Sequence, residues 1–153
     1  MQNKVSLVLQ TGEHSKRAEL SDFLSQVASV SDNLFFEERD TQGVLRSAMS
    51  FMLEVDGQPN GVVFSGIPSG HEFNSLILAI LWSSGTDIKL DKSLQNIIKN
   101  VTEKLHFEVF VSLDCHNCPD VVQGLNQFAL LNDSITSETV SYTHLTLPTI
   151  YSV

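Results

Sequence analysis

The hydrophobic and polar positions of the chain change period from segment to segment. Residues 4–9 alternate, which is the two-residue period of a half-buried strand. Residues 15–30 place Ala18, Leu20, Phe23, Leu24, Val27 and Val30 at near-helical spacing and predict an amphipathic helix with one buried face. Leu34-Phe35-Phe36 reads as a short strand, and residues 50–55 and 61–65 read as two more. The turn formers Asp56-Gly57-Gln58-Pro59-Asn60-Gly61 between the last two predict a hairpin. After Pro68-Ser69-Gly70, residues 71–82 form a helical pattern whose wide apolar face carries Phe73, Leu76, Ile77, Ile80 and Leu81.

Beyond Ser83-Ser84-Gly85-Thr86-Asp87 a second series begins. A helix is predicted over 93–102 and a strand over 107–113. A further helix carries Val121, Val122, Leu125, Phe128 and Leu131, and a short strand covers 135–139. The first half follows the order of a thioredoxin-like fold: strand, helix, three strands, helix. The expected fold class is therefore α/β, with two tandem thioredoxin-like folds. The second is incomplete, because nothing after Thr139 supplies its closing hairpin and last helix. The expected divisions are 1–84 for a fold without cysteines, 85–139 for a partial fold with the cysteines, and 140–153 for a tail. The first half is expected to fold alone, and the Phe107 strand to lie beside an open edge.

Candidate chemistry concentrates in Cys115-His116-Asn117-Cys118-Pro119, which holds both cysteines of the chain. An apolar strand pattern runs up to this segment and a helical pattern leaves it, which sets the pair at a helix N-terminus. Unpaired N–H groups and the positive end of the helix dipole favour a thiolate there. Pro119 suits a first turn, where its missing N–H costs nothing. Cys115, outermost, is expected to be the exposed nucleophile, and Cys118, within the first turn, the resolving thiol of a disulfide exchange. Two thiolates at this spacing also make half of a zinc site. No second C-x-x-C exists, however, and His14, His71 and His106 do not complete a ligand spacing. A structural disulfide closing so small a loop would add little stability.

Composition narrows the setting. At 153 residues the chain can bury one good core or two very small ones. Its longest apolar run, residues 76–82, is far shorter than a membrane span, and its first residues lack the apolar stretch of a secretory signal. A cytoplasmic location is expected, where a single close cysteine pair favours catalysis over stapling. The net charge of −9 argues against nucleic acid as a partner. No membrane partner is expected either.

Two long stretches carry a resemblance to a family. They are Gly66-Ile67-Pro68-Ser69-Gly70-His71-Glu72-Phe73 with its continuation Ser75 to Trp82, and Val111-Ser112-Leu113-Asp114-Cys115-His116-Asn117-Cys118-Pro119-Asp120-Val121-Val122-Gln123. Together they resemble the N-terminal domain of the alkyl hydroperoxide reductase flavoprotein AhpF, which reduces a bacterial peroxiredoxin, over essentially residues 1–139. The resemblance implies two fused thioredoxin-like folds, with the active pair in the second. It also implies an electron path from NADH to FAD, to a dithiol of a C-terminal flavoprotein body, to the C-x-x-C pair, and on to the disulfide of a peroxiredoxin of the AhpC type. Cys115 would attack that disulfide and Cys118 would resolve it. Glu72 matches a glutamate that the family sets near the dithiol, where it could assist proton movement or tune a thiol. It could equally be a carboxylate capping the Phe73 helix.

The intact protein would be an NADH-dependent peroxiredoxin reductase with an antioxidant role in oxidative stress. This chain would be its redox relay, impaired by truncation. FAD and NADH are expected to bind the body and not this chain, which has no Gly-rich dinucleotide fingerprint. The family more often has a small hydroxyl residue where Asp114 stands, so Asp114 is expected to oppose thiolate formation at Cys115 unless water screens it. Val140-Ser141-Tyr142-Thr143-His144-Leu145-Thr146-Leu147-Pro148-Thr149 reads as an in-frame translation of a sequencing adapter, so 140–153 is expected to be non-native and His144 is given no role. Two rival readings share the residues: a stand-alone glutaredoxin-like protein disulfide oxidoreductase, and a module in which Cys115 and Cys118 bind metal or another protein.

Overall fold

The computed structural model describes residues 3–112 and 117–141. Its strands are β1 (Val5–Gln10), β2 (Leu34–Arg39), β3 (Ser50–Val55), β4 (Gln58–Ser65), β5 (Leu105–Val111) and β6 (Ile135–Ser141). Its helices are α1 (Arg17–Ala28), α2 (Phe73–Ser83), α3 (Lys92–Lys99) and α4 (Cys118–Leu131), and a 3-10 turn, Gly70–Glu72, leads into α2. The strands form one six-stranded sheet in the order β2-β1-β3-β4-β6-β5. β1 pairs parallel with β2 and antiparallel with β3, and β3 pairs antiparallel with β4. β6 pairs parallel with both β4 and β5, which carries the sheet from the first half into the second. The unit β5-α4-β6 thus repeats β1-α1-β2. On its other side β1 holds β3, whereas β5 has no strand there among the described residues.

Helical spacing decides which side chains go inside. Leu20, Leu24 and Val27 of α1 fall one turn apart and are buried, as are Leu76, Ala79 and Ile80 of α2. Together with Ala129 of α4 they close over Val5, Leu7, Leu9, Phe51, Leu53, Val62 and Phe64 to make the main core. Phe51 and Phe64 stack with ring centroids 5.4 Å apart. Each fully buried side chain of this size stabilises the fold by about 1.5–3 kcal/mol.

The opposite face holds a smaller cluster of Val8, Leu45 and Met52 and a charged network. Arg46 Nε lies 2.8 Å from Glu138 Oε2, Arg46 also pairs with Glu108, and Ser65 Oγ donates to Glu138 Oε2 at 2.5 Å. With its hydrogen committed to Glu138, Ser65 accepts from Ser50 at 2.6 Å. Burial opposes the charge on Arg46, but Glu138 and Glu108 outweigh it and raise the guanidinium pKa.

The strand ends differ from the sequence expectation for local reasons. Pairing with β1 continues β2 beyond Phe36 to Arg39. The hairpin turn is tighter than its six turn-forming residues suggest. Asp56 and Gly57 take positive φ of 51° and 86°, and the ladder resumes at once with Val55 opposite Gln58. Gly61, at φ 90°, lies beside a register shift and close to the start of β6, where an added Cβ would stand 2.8 Å from the Ile135 carbonyl oxygen. The helix expected over 93–102 ends at Lys99, and β6 runs through Thr139 to Ser141.

Candidate active site

β5 ends at the buried Val111, and α4 starts at Cys118 with Pro119 in its first turn. Asn117, at the N-cap, makes no side-chain cap bond, so it leaves the polarity of the helix end undiminished. Cys118 is disulfide-bonded. The only other cysteine in the sequence is Cys115. Cys115, Asp114 and His116 lie outside the described residues, and so do the nucleophile role expected of Cys115 and the effect expected of Asp114. Residues 142–153 of the expected tail, His144 included, also lie outside them.

Glu72 closes the 3-10 turn and is the N-cap residue of α2, but its side chain makes no cap bond. It is 1 % exposed, and neither carboxylate oxygen has a hydrogen-bond partner. Around it stand Phe64, Ser65, Gly66, Pro68, Val111, Thr139 and Ser141. The loop Gly66 to Ser69 and the buried end of β5 therefore bring Glu72 to the base of the segment that carries the cysteines. Burial pushes the Glu72 carboxyl pKa up, and the nearby Ser75 hydroxyl and His71 oppose the rise. An unpaired carboxylate is costly to bury, so the protonated form is favoured in this position.

α4 packs against α2 and the 3-10 turn, and Gln123 Nε2 donates to Ser75 Oγ across 3.2 Å. Below that bond Asn126 is fully buried with both its side-chain polar atoms unpaired, and the buried Ser137 and Thr139 hydroxyls of β6 are unpaired too. The sequence reading missed this polar seam. Its one signal was the run of hydroxyl and amide residues at positions that periodicity assigns to the core face.

Among the described residues, one group with metal-ligating side chains lies elsewhere. His106, Glu108 and Glu138 bring ligand atoms within 4.8 Å of one another on the charged face of the sheet. The Arg46 guanidinium already sits on both carboxylates, so the group reads as an ion-pair network.

No protein-family model matches the chain. The chain is 42 % identical over 136 residues to the alkyl hydroperoxide reductase flavoprotein AhpF of Staphylococcus aureus, a match that covers 89 % of this chain and 26 % of that protein. It thus spans about a quarter of the length of the curated relatives it matches. A crystal structure of the NTD_N/C domain of AhpF from Enterococcus faecalis superposes with a TM-score of 0.84 at 33 % identity, over 93 % of this chain and 73 % of that one. A protein disulfide oxidoreductase from Aeropyrum pernix shares the fold, with a TM-score of 0.77 at 19 % identity over 94 % of this chain and 68 % of the other.

Proposed function

The chain belongs to the family of N-terminal domains of the alkyl hydroperoxide reductase flavoprotein AhpF, and we propose on that footing that it is the thiol–disulfide relay between a flavoprotein body and a peroxiredoxin. The observation that carries the reading is Cys118 in a disulfide at the first residue of α4, behind a proline-containing first turn. In the relay the Cys115 thiolate attacks one sulfur of the peroxiredoxin disulfide and expels the other as a thiolate. Cys118 then attacks Cys115 Sγ, which closes the Cys115–Cys118 disulfide and releases the second peroxiredoxin thiolate. Two electrons have moved, and a dithiol of the flavoprotein body restores the pair by the same exchange.

Glu72 is the acid–base partner in this proposal. Its buried carboxyl, whose hold on a proton burial strengthens, can give a proton to a departing thiolate and, once ionised, take one from an incoming thiol. Its burial beside Val111 supports that role. FAD and NADH would bind the flavoprotein body, and the cytoplasm is the proposed location. No helix among the described residues is long and apolar enough to cross a membrane.

The test is reduction of an oxidised bacterial peroxiredoxin by the prereduced chain. Transfer should stop with Cys115→Ser, and Cys118→Ser should accumulate a mixed disulfide through Cys115. Failure to transfer electrons in a folded chain, with no mixed disulfide trapped, overturns the relay. Glu72→Gln should slow exchange and change its pH profile. An unchanged rate and profile would leave Glu72 only a structural place.

A further inference from the structure

Ser75 and Gln123 meet where α2 packs against α4, and we propose that they are positioning residues for Glu72, which hold its negative charge when it gives up its proton. This role rests on the relay reading above, in which Glu72 is the acid–base group. A buried carboxyl that loses its proton needs a donor, because an unpaired charge is costly inside a protein. Glu72 is buried and neither of its oxygens has a partner.

One donor lies a helix turn away. Ser75 is three residues on from Glu72, the N-cap of α2, which sets the two on one face, and it is fully buried. Helical serines commonly return their hydrogen to a carbonyl three or four residues back, as Ser83 does to Ala79 and Ser84 to Leu81. Ser75 makes no such bond among the described residues. Its oxygen accepts from Gln123 Nε2 at 3.2 Å, and its hydrogen is left for Glu72. Burial raises the Glu72 pKa, and the Ser75 hydroxyl already opposes that rise, as a donor facing a carboxyl should.

Gln123 decides which way the Ser75 hydrogen turns. An amide N–H on the serine oxygen keeps that oxygen an acceptor and directs the hydroxyl hydrogen away, and two bonds in series strengthen each other. Gln123 belongs to α4, whose first residue is Cys118, so the two residues link the acid of the first half to the helix that begins at the disulfide. Few other ionisable groups face Glu72 among the described residues. His71, in the same turn, also opposes the rise. α4 offers Cys118, which the disulfide holds, and Asp120, which is exposed. None of the residues around Glu72 from β4, β5 and β6 ionises.

The test follows Glu72 itself. The oxidised chain is labelled with carbon-13 at the glutamate carboxyls, and the Glu72 resonance is identified by its loss in Glu72→Gln. Its titration should move to higher pH in Ser75→Ala, which removes the donor. It should move up by less in Gln123→Met, which keeps the length of a partly buried side chain and removes only the amide. The direction in Gln123→Met is decisive. A move to lower pH would show that Ser75 had donated to the Gln123 amide oxygen and was freed for Glu72 by its loss. That result, or a titration that either variant leaves unmoved, overturns the proposal. Exchange with an oxidised peroxiredoxin separates this role from the relay. Prereduced Ser75→Ala should exchange about tenfold more slowly, the effect of losing a hydrogen bond to a charged group. A titration that moves while exchange does not would remove Glu72 as the acid of the relay and leave Ser75 and Gln123 as the holders of its charge.

Discussion

Arg46 ties the loop before β3 to the two strands of the second half, and its removal gives a prediction with a magnitude. Glu138 keeps 7 % of its side-chain exposure and takes two contacts from Arg46, Nε at 2.8 Å and Nη2 at 3.0 Å, besides the Ser65 hydroxyl. Breaking a fully buried ion pair by removing one partner costs about 3–5 kcal/mol, because the other charge is stranded. Arg46 is 33 % exposed, so water can partly replace it. The expected loss for Arg46→Ala is therefore lower, about 2–3 kcal/mol. With Glu138→Gln no charge is stranded there, and Arg46→Ala then removes only its half-exposed contact with Glu108 and some packing, about 1 kcal/mol. The coupling energy is the difference, about 1–2 kcal/mol. Urea unfolding of the wild type, both single variants and the double variant, followed by circular dichroism, measures it. Additivity within about 0.5 kcal/mol would refute the claim that the pair acts as a buried unit.

Three further predictions follow from the packing. Burial raises the Glu72 carboxyl pKa above its unfolded value, so the folded chain keeps this proton to higher pH. The stability linked to the group is then complete below the unfolded pKa and lost as pH rises through the folded one. Melting profiles of wild type and Glu72→Gln should converge in acid and separate above that window, and parallel profiles would contradict the assignment. Gly61→Ala combines a φ of 90° with a contact of 2.8 Å to the Ile135 carbonyl oxygen, whereas Gly57 has φ 86° and open space around it. Chemical denaturation should show Gly61→Ala costing at least about 1 kcal/mol more than the roughly 1–2 kcal/mol of Gly57→Ala, and equal costs would remove the close approach as a cause. Asn126→Leu should stabilise the chain by about 1 kcal/mol or more in the same assay, since it deletes an amide buried without partners, and destabilisation would show that the amide is satisfied.

The elements that periodicity made legible are those whose burial it describes. α1 and α2 show their buried residues as turns of a helix, and β3 lies at the predicted residues 50–55. The hairpin was legible from Asp56 and Gly57, but its true length was not, because Pro59 and Asn60 read as turn formers while β4 includes them as strand. β6 was harder to see. Ser137 and Thr139 occupy the core face that Ile135 begins, so the apolar alternation that marks a strand is missing. Of the site, Cys118 at a helix start was readable from local pattern alone. Glu72 entered only through family resemblance, since nothing within one helix turn reports that Val111 and Thr139 close around it. The Arg46 network was invisible for the same reason: its partners Glu108 and Glu138 are distant in sequence and meet only when β5 lies beside β6.

The parallel seam between β4 and β6 also sets an order of events in time. Every pairing among β1, β2, β3 and β4 is available as soon as residues up to Ser65 exist, whereas Val62 must wait for Ser137 and Ser65 for Val140. Distant pairings form slowly because the intervening loop must first be closed. As the chain leaves the ribosome, β4 is therefore a finished template before its second neighbour has been synthesised, and the strand-helix-strand unit that carries the cysteines assembles against an edge already in place. Completion of the unit that carries Cys118 is thus timed by the half of the molecule that contains no cysteine.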